Sequence, residues 1–95
     1  MPYIKDKDRK RLQPGIDLLT DEIRTVGELN YTVTRLALRF LNHLGVNYSN
    51  ISNVIGTLTL IPAEISRRIV HPYEDTKIVQ NGDVEEFEES PYASQ

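Results

Sequence analysis

Three successive apolar stripes at helical spacing constrain this chain more than any other feature. Leu12, Ile16, Leu19, Ile23 and Val26 recur at steps of four, three, four and three, which places them along one side of a helix. The pattern predicts a first helix over 15–26, with Pro14 just before it or in its first turn, Asp17 where the macrodipole favours an acid, and Gly27 ending it. Leu29, Val33, Leu36, Ala37, Phe40, Leu41 and Leu44 form a broader stripe, with Arg35, Arg39 and Asn42 on the other side and Gly45 closing the helix. Asn47-Tyr48-Ser49-Asn50 supplies turn and cap residues, after which Ile51, Val54, Ile55, Leu58, Ile61 and Ile65 carry a third stripe towards Ile69. Pro62 is expected to kink or split this helix near Leu60. A strand over 53–61 is the competing reading, disfavoured because the apolar residues do not alternate strictly and a third helix completes a bundle. His71-Pro72 is expected to end the third helix, residues 73–79 to add one short turn, and Asn81-Gly82-Asp83 to form a tight turn. The fold class is therefore all-α: a small three-helix bundle or hairpin with a kinked third helix.

Ninety-five residues make one small domain, expected over 1–84, and a core of that size gains from oligomerisation. The absence of cysteine removes disulfides, thiolate metal sites and cysteine nucleophiles, and points to a reducing, cytoplasmic setting. The opening MPYIKDKDRKRL is charged rather than apolar, and no stretch approaches the roughly 18 apolar residues of a membrane span, so neither a signal peptide nor a membrane partner is expected. The net charge of −3 divides unevenly. Residues 1–73 hold ten Lys/Arg against seven Asp/Glu, whereas residues 74–95 hold one lysine against seven acids. The acidic segment 85–95 is expected to stay disordered unless a partner orders it.

Three side-chain constellations compete for a functional role. A helix-turn-helix centred on Gly45 would place Leu44, Val46, Ile51 and Val54 as core residues, but no Lys or Arg occurs between Arg39 and Arg67, which argues against reading DNA. His43 and His71, with Glu64, Glu74 and Asp75, show no metal-ligand spacing and no nucleophile motif, so no enzyme, metal or cofactor is expected. The third constellation is a binding surface. Arg67, Arg68, Arg35 and Lys77 offer cations for phosphate, Tyr31 and Tyr73 offer rings for a base, and Asn30 or Asn81 can discriminate a base edge or ribose. The competing reading of the same residues is structural: Arg67 or Arg68 pairs with Glu74, Asp75 or Glu28, and the two tyrosines pack half-buried.

Six ordered blocks carry a resemblance: Met1-Pro2-Tyr3-Ile4, Gly27-Glu28-Leu29-Asn30-Tyr31, Ile55-Gly56-x-Leu58, Glu64-x-x-Arg67-Arg68, Pro72-Tyr73-Glu74-Asp75-x-Lys77 and Asn81-Gly82-Asp83-Val84. Over about residues 1–84 the chain resembles a family of short proteins of tailed phages and prophages. Where that pattern reads Glu-Phe-Tyr-Arg-Arg, this chain has Glu64-Ile65-Ser66-Arg67-Arg68, which removes an aromatic ring; Pro62 is a second departure. The resemblance implies a phage setting and no particular reaction. By analogy of size and setting, it suggests the small sponges that sequester cyclic nucleotide or cyclic ADP-ribose signals of the CBASS and Thoeris defences. The expectation is thus a symmetric homo-oligomer that binds a small anionic nucleotide without catalysis. The alternatives are a protein–protein adaptor acting on a host protein and, more weakly, a DNA-binding regulator.

Overall fold

The computed structural model describes residues 2–89, and every regular element among them is helical. Helix α1 spans Asp6–Glu22, α2 Val26–Leu44 and α3 Tyr48–Ile65; a π-helical segment, Ser66–Val70, leads into α4, His71–Asn81, and a single turn, α5, covers Glu85–Glu88. Residues 1–60 and 61–95 group into two separate units.

Helix α1 begins nine residues before the expected start, and Pro14 lies inside it rather than at its first turn. Charge explains the early start. Asp6 and Asp8 occupy the first turn, where the macrodipole favours them, and each pairs with a cation about one turn on: Lys10 Nζ lies 3.0 Å from Asp6 Oδ2, and Arg11 Nη2 lies 3.5 Å from Asp8 Oδ1. The helix ends at Glu22 rather than at Gly27, because the next helix has its own start signal. Thr25 is the N-cap of α2; its Oγ1 accepts the Glu28 N–H at 3.0 Å, while Glu28 Oε1 accepts the Arg24 N–H at 2.8 Å. This reciprocal pair is a capping box displaced by one residue on its return bond. Gly27 therefore sits in the first turn of α2. Thr25→Ala is expected to lower stability by about 1 kcal/mol, read as a shift in the urea midpoint with unchanged slope, whereas Thr25→Ser should leave the midpoint nearly in place.

Gly45 closes α2 as expected, with φ 102° and ψ 137°, and its N–H donates to Leu41 O at 2.9 Å. Asn47 Oδ1 then accepts the Asn50 N–H at 2.9 Å, an N-terminal cap for α3. The Asn50 side chain reaches back to close the connection, donating from Nδ2 to Gly45 O at 2.9 Å and to Leu44 O at 3.2 Å.

The third helix bends its rules at a different place from the one expected. Helical backbone continues through Pro62, and the irregularity falls at residues 66–70, where His71 N–H donates to Ser66 O, five residues back. Pro72 accounts for it. A proline four residues beyond Arg68 cannot donate to the Arg68 carbonyl and its ring would press on it; a wider turn there relieves both problems. His71-Pro72 thus interrupts the α-helical ladder without ending the helix, and the short turn expected over 73–79 is the eleven-residue α4. Gly82, with φ 86°, terminates α4 where the Asn-Gly-Asp signal placed a turn. The segment 85–95 was expected to lack structure; Glu85–Glu88 form a helical turn, and residues 90–95 lie outside those described.

No described residue is buried. Along the α2–α3 hairpin the half-buried positions with apolar side chains are Ala37, Leu41, Ile51, Val54 and Leu58. Even so, the two helices do not pack closely on each other, although packed helices stand only about 8–10 Å apart. No described helix is long and apolar enough to cross a membrane.

Candidate functional site

Helix α2 carries three of the expected binding residues on one face. Asn30, Tyr31 and Arg35 line an open depression of about 560 Å³ together with Val26, Gly27 and Thr34. The capping box at Thr25 and Glu28 sets the start of the helix, and with it the angular position of these side chains. From there, the separation of four residues brings Arg35 over Tyr31. Arg35 Nη1 donates to Tyr31 Oη at 2.7 Å, and the guanidinium carbon lies 5.7 Å from the ring centroid. One contact joins the phenol to the fork and the other holds the cation against the ring, within range of cation–π attraction. Tyr31 is still 62% exposed. Asn30 accepts twice from the Thr34 hydroxyl, at its backbone oxygen at 2.7 Å and at Oδ1 at 3.3 Å. Its side-chain amide is thereby oriented by the next turn.

The remaining expected residues belong to the second unit. Arg67 and Arg68 fall in the π segment, and Tyr73, Lys77 and Asn81 in α4. Arg67 turns towards Glu64: its Nε donates to Glu64 Oε1 at 3.0 Å, and Nη2 pairs with the same oxygen. The structural partner expected for this arginine was Glu74, Asp75 or Glu28; the acid three residues earlier takes that place. Lys77 repeats the α2 arrangement, with Nζ 5.6 Å from the Tyr73 ring centroid and 3.4 Å from Gln80 Oε1. Asn81 is the last residue of α4. The eight residues thus divide between the two units, three in the first and five in the second, and each set contains a tyrosine with a cation four residues on.

The other expected constellations gain little from the fold. His43 sits in the last turn of α2 and His71 at the start of α4, and no group of three or more His, Asp or Glu able to hold a metal occurs among the described residues.

A feature that the sequence assigned to a core is a surface groove instead. Val33, Leu36, Ala37, Phe40 and Leu44 of α2 face Asn53, Val54, Thr57 and Leu58 of α3 across a space of about 340 Å³. Leu36 and Phe40 are 53% and 56% exposed. The 3.6-residue stripes located the apolar members of this lining but not Asn53 and Thr57, and they could not show that the hairpin leaves the shared face open.

No curated protein and no solved structure matches the chain. One family does, over residues 1–84. With that match covering most of its length, the chain belongs to the DUF6899 family, a domain of unknown function.

Proposed function

We propose that this protein acts by binding rather than by catalysis, sequestering a small nucleotide-derived anion of the cyclic oligonucleotide or cyclic ADP-ribose type. The setting is the cytoplasm of a phage-infected cell, in which removal of that signal blunts a host defence, and the working form is a symmetric homo-oligomer. The observation that carries this reading is the Tyr31–Arg35 pair on an exposed face of α2, with the guanidinium held 5.7 Å from the ring and Asn30 beside it. Such a pair presents a ring to a base and a fork to a phosphate from one rigid element. The Tyr73–Lys77 pair on α4 supplies the same two groups, and Arg67 and Arg68 add positive charge for phosphates. In this reading Asn30 or Asn81 discriminates among ligands. The α2 depression is open, whereas ligand sites usually enclose most of their ligand, so a ligand here is held chiefly by the ring, the fork and the amide of this one face.

The test is native mass spectrometry of the full chain with a panel of cyclic di- and trinucleotides and ADP-ribose derivatives. One of them is expected to stay bound at fixed stoichiometry. Arg35→Ala and Tyr31→Ala should each weaken that ligand by about ten- to a hundredfold, the worth of a charge-assisted hydrogen bond or a stacked base. Their far-ultraviolet circular dichroism should not change. Retention of no ligand across the panel would refute the reading. The apolar α2–α3 groove favours a second reading, an adaptor that docks on a protein; in that case partner capture depends on the groove and no nucleotide shifts the melting temperature.

A further inference from the structure

We infer that the α2–α3 groove is the seam between two copies of this chain, each burying the other's groove about a two-fold axis. The inference rests on the association half of the reading above and not on its ligand.

The first argument is one of area. The chain leaves 8619 Å² accessible, whereas surface scaling gives about 5,600 Å² for a folded monomer of its mass. Seven residues lie outside the described part, and about 1,200 Å² is set aside for them. About 1,800 Å² remains, roughly twice what each partner contributes to a standard protein–protein interface. In the groove itself Leu36 and Phe40 are each more than half exposed.

The second argument selects the occupant. From Phe40 to Ala63 the chain carries no Asp, Glu, Lys or Arg, and this stretch includes the end of α2 and most of α3. A two-fold interface brings each residue near its own copy or near the same patch, so a charged patch would repel itself and an uncharged one does not. Depletion of charge is also what marks the centre of an interface. The acidic segment Glu85–Glu89 finds no cation in this lining, and neither would a nucleic-acid backbone. A second copy meets the groove with matching chemistry: apolar side chains against apolar side chains, with Asn53 and Thr57 opposite polar residues of the same kind. Two hairpins joined in this way make four helices around one core, a common helical bundle. Polar residues in such a seam fix its register.

The seam leaves the candidate ligand site accessible. Tyr31 and Arg35 each lie two residues from Val33, so they project about 200° around α2 from that groove residue. Pairing through the groove therefore turns the Tyr31–Arg35 face outward.

Sedimentation equilibrium of the full chain is expected to give a dimer or a larger even-numbered assembly, with a melting temperature that rises over a hundredfold increase in concentration. Phe40→Glu should weaken self-association by about thirtyfold or more, as for a central interface residue. Because that variant can also lose its fold, two single-cysteine variants locate the seam independently in a chain that has no cysteine of its own. Ala37→Cys should cross-link into covalent dimers with a bis-maleimide that spans about 10 Å, a packed-helix separation. Arg39→Cys, two residues round the helix, should not. A helical monomer at every concentration, an odd-numbered assembly, or an assembly that Phe40→Glu leaves intact would each overturn the inference. So would an assembly in which Ala37→Cys fails to cross-link, or a monomer carrying an apolar small molecule in its native mass spectrum. A dimer that binds no nucleotide would sink the ligand reading and leave the seam standing.

Discussion

Replacing Pro14 and Gly15 with alanine is expected to slow amide exchange through the middle of α1 by two or more orders of magnitude. The two residues sit side by side in the interior of a helix in which no described residue is buried, so no packing offsets their cost. Proline there removes the N–H that would donate to Lys10 O and presses its ring on that carbonyl, at about 3 kcal/mol relative to alanine; glycine adds about 1 kcal/mol. Each half of α1 is about eight residues, shorter than the roughly 12–15 needed for an isolated helix to persist in water. The Asp6–Lys10 and Arg11–Asp8 pairs add only a few tenths of a kcal/mol each. Alanine fits at position 15 without adjustment, since a Cβ added at Gly15 meets no atom within 4 Å. Hydrogen–deuterium exchange resolved over residues 6–22 measures the effect, with helicity at 222 nm rising in parallel. An unchanged exchange rate would mean that α1 owes its order to a surface it binds, because intrinsic propensity would then not be limiting.

The same proline shows where sequence reasoning succeeded and where it stopped. The stripes of α2 and α3 were legible because period and punctuation agreed: apolar residues at three and four, glycine at 45, a cap at Asn47. In α1 they conflicted. Pro14 reads as a helix start, and that rule outweighed Asp6 and Asp8, whose pairing with cations one turn on was equally visible. Thr25-x-x-Glu28 is a readable capping box, masked by Gly27, a residue type that more often follows a helix than sits in its first turn. The π segment was not legible, because the cost of Pro72 can be relieved either by stopping the helix or by widening one turn, and the local residues do not decide between them. Of the candidate site, the pairs Tyr31–Arg35 and Tyr73–Lys77 follow from spacing alone. The Glu64–Arg67 pair, at i and i+3, follows from the same rule, and it takes the arginine away from the acids at 74 and 75. The groove was the hardest feature to foresee. A stripe states which side of a helix avoids water and not whether the same chain supplies enough surface to cover it.

Gly45→Val is expected to disrupt the α2–α3 connection and, through it, any assembly built on the hairpin. At φ 102° and ψ 137° this residue lies in a region open in practice only to glycine. Space is not the constraint, since a Cβ there would meet nothing within 4 Å. The cost is therefore conformational, about 1–3 kcal/mol for a residue held in a sparsely populated region. Asparagine separates this case from the common helix terminator. Where a C-terminal residue adopts the left-handed helical conformation, with ψ near +45°, asparagine substitutes tolerably; here ψ is far from that value. Gly45→Asn should consequently be destabilised nearly as much as Gly45→Ala, whereas at a left-handed helical cap it would be clearly better. Relaxing the backbone to escape the strain would move Gly45 O and Leu44 O away from Asn50 Nδ2, breaking the two bonds that close the turn. Asn50→Ala in the same background tests this route. If the strain is relieved by that movement, the double variant should lose less than the sum of the two single losses, because the bonds that Asn50 makes are already gone. Urea midpoints for the four chains of this cycle, read with sedimentation at one fixed concentration, separate loss of the turn from loss of the assembly. Additive losses would show that the backbone holds its shape and bears the strain, in which case the hairpin connection is set by Asn47 and Asn50 together and glycine contributes only its freedom from a side chain.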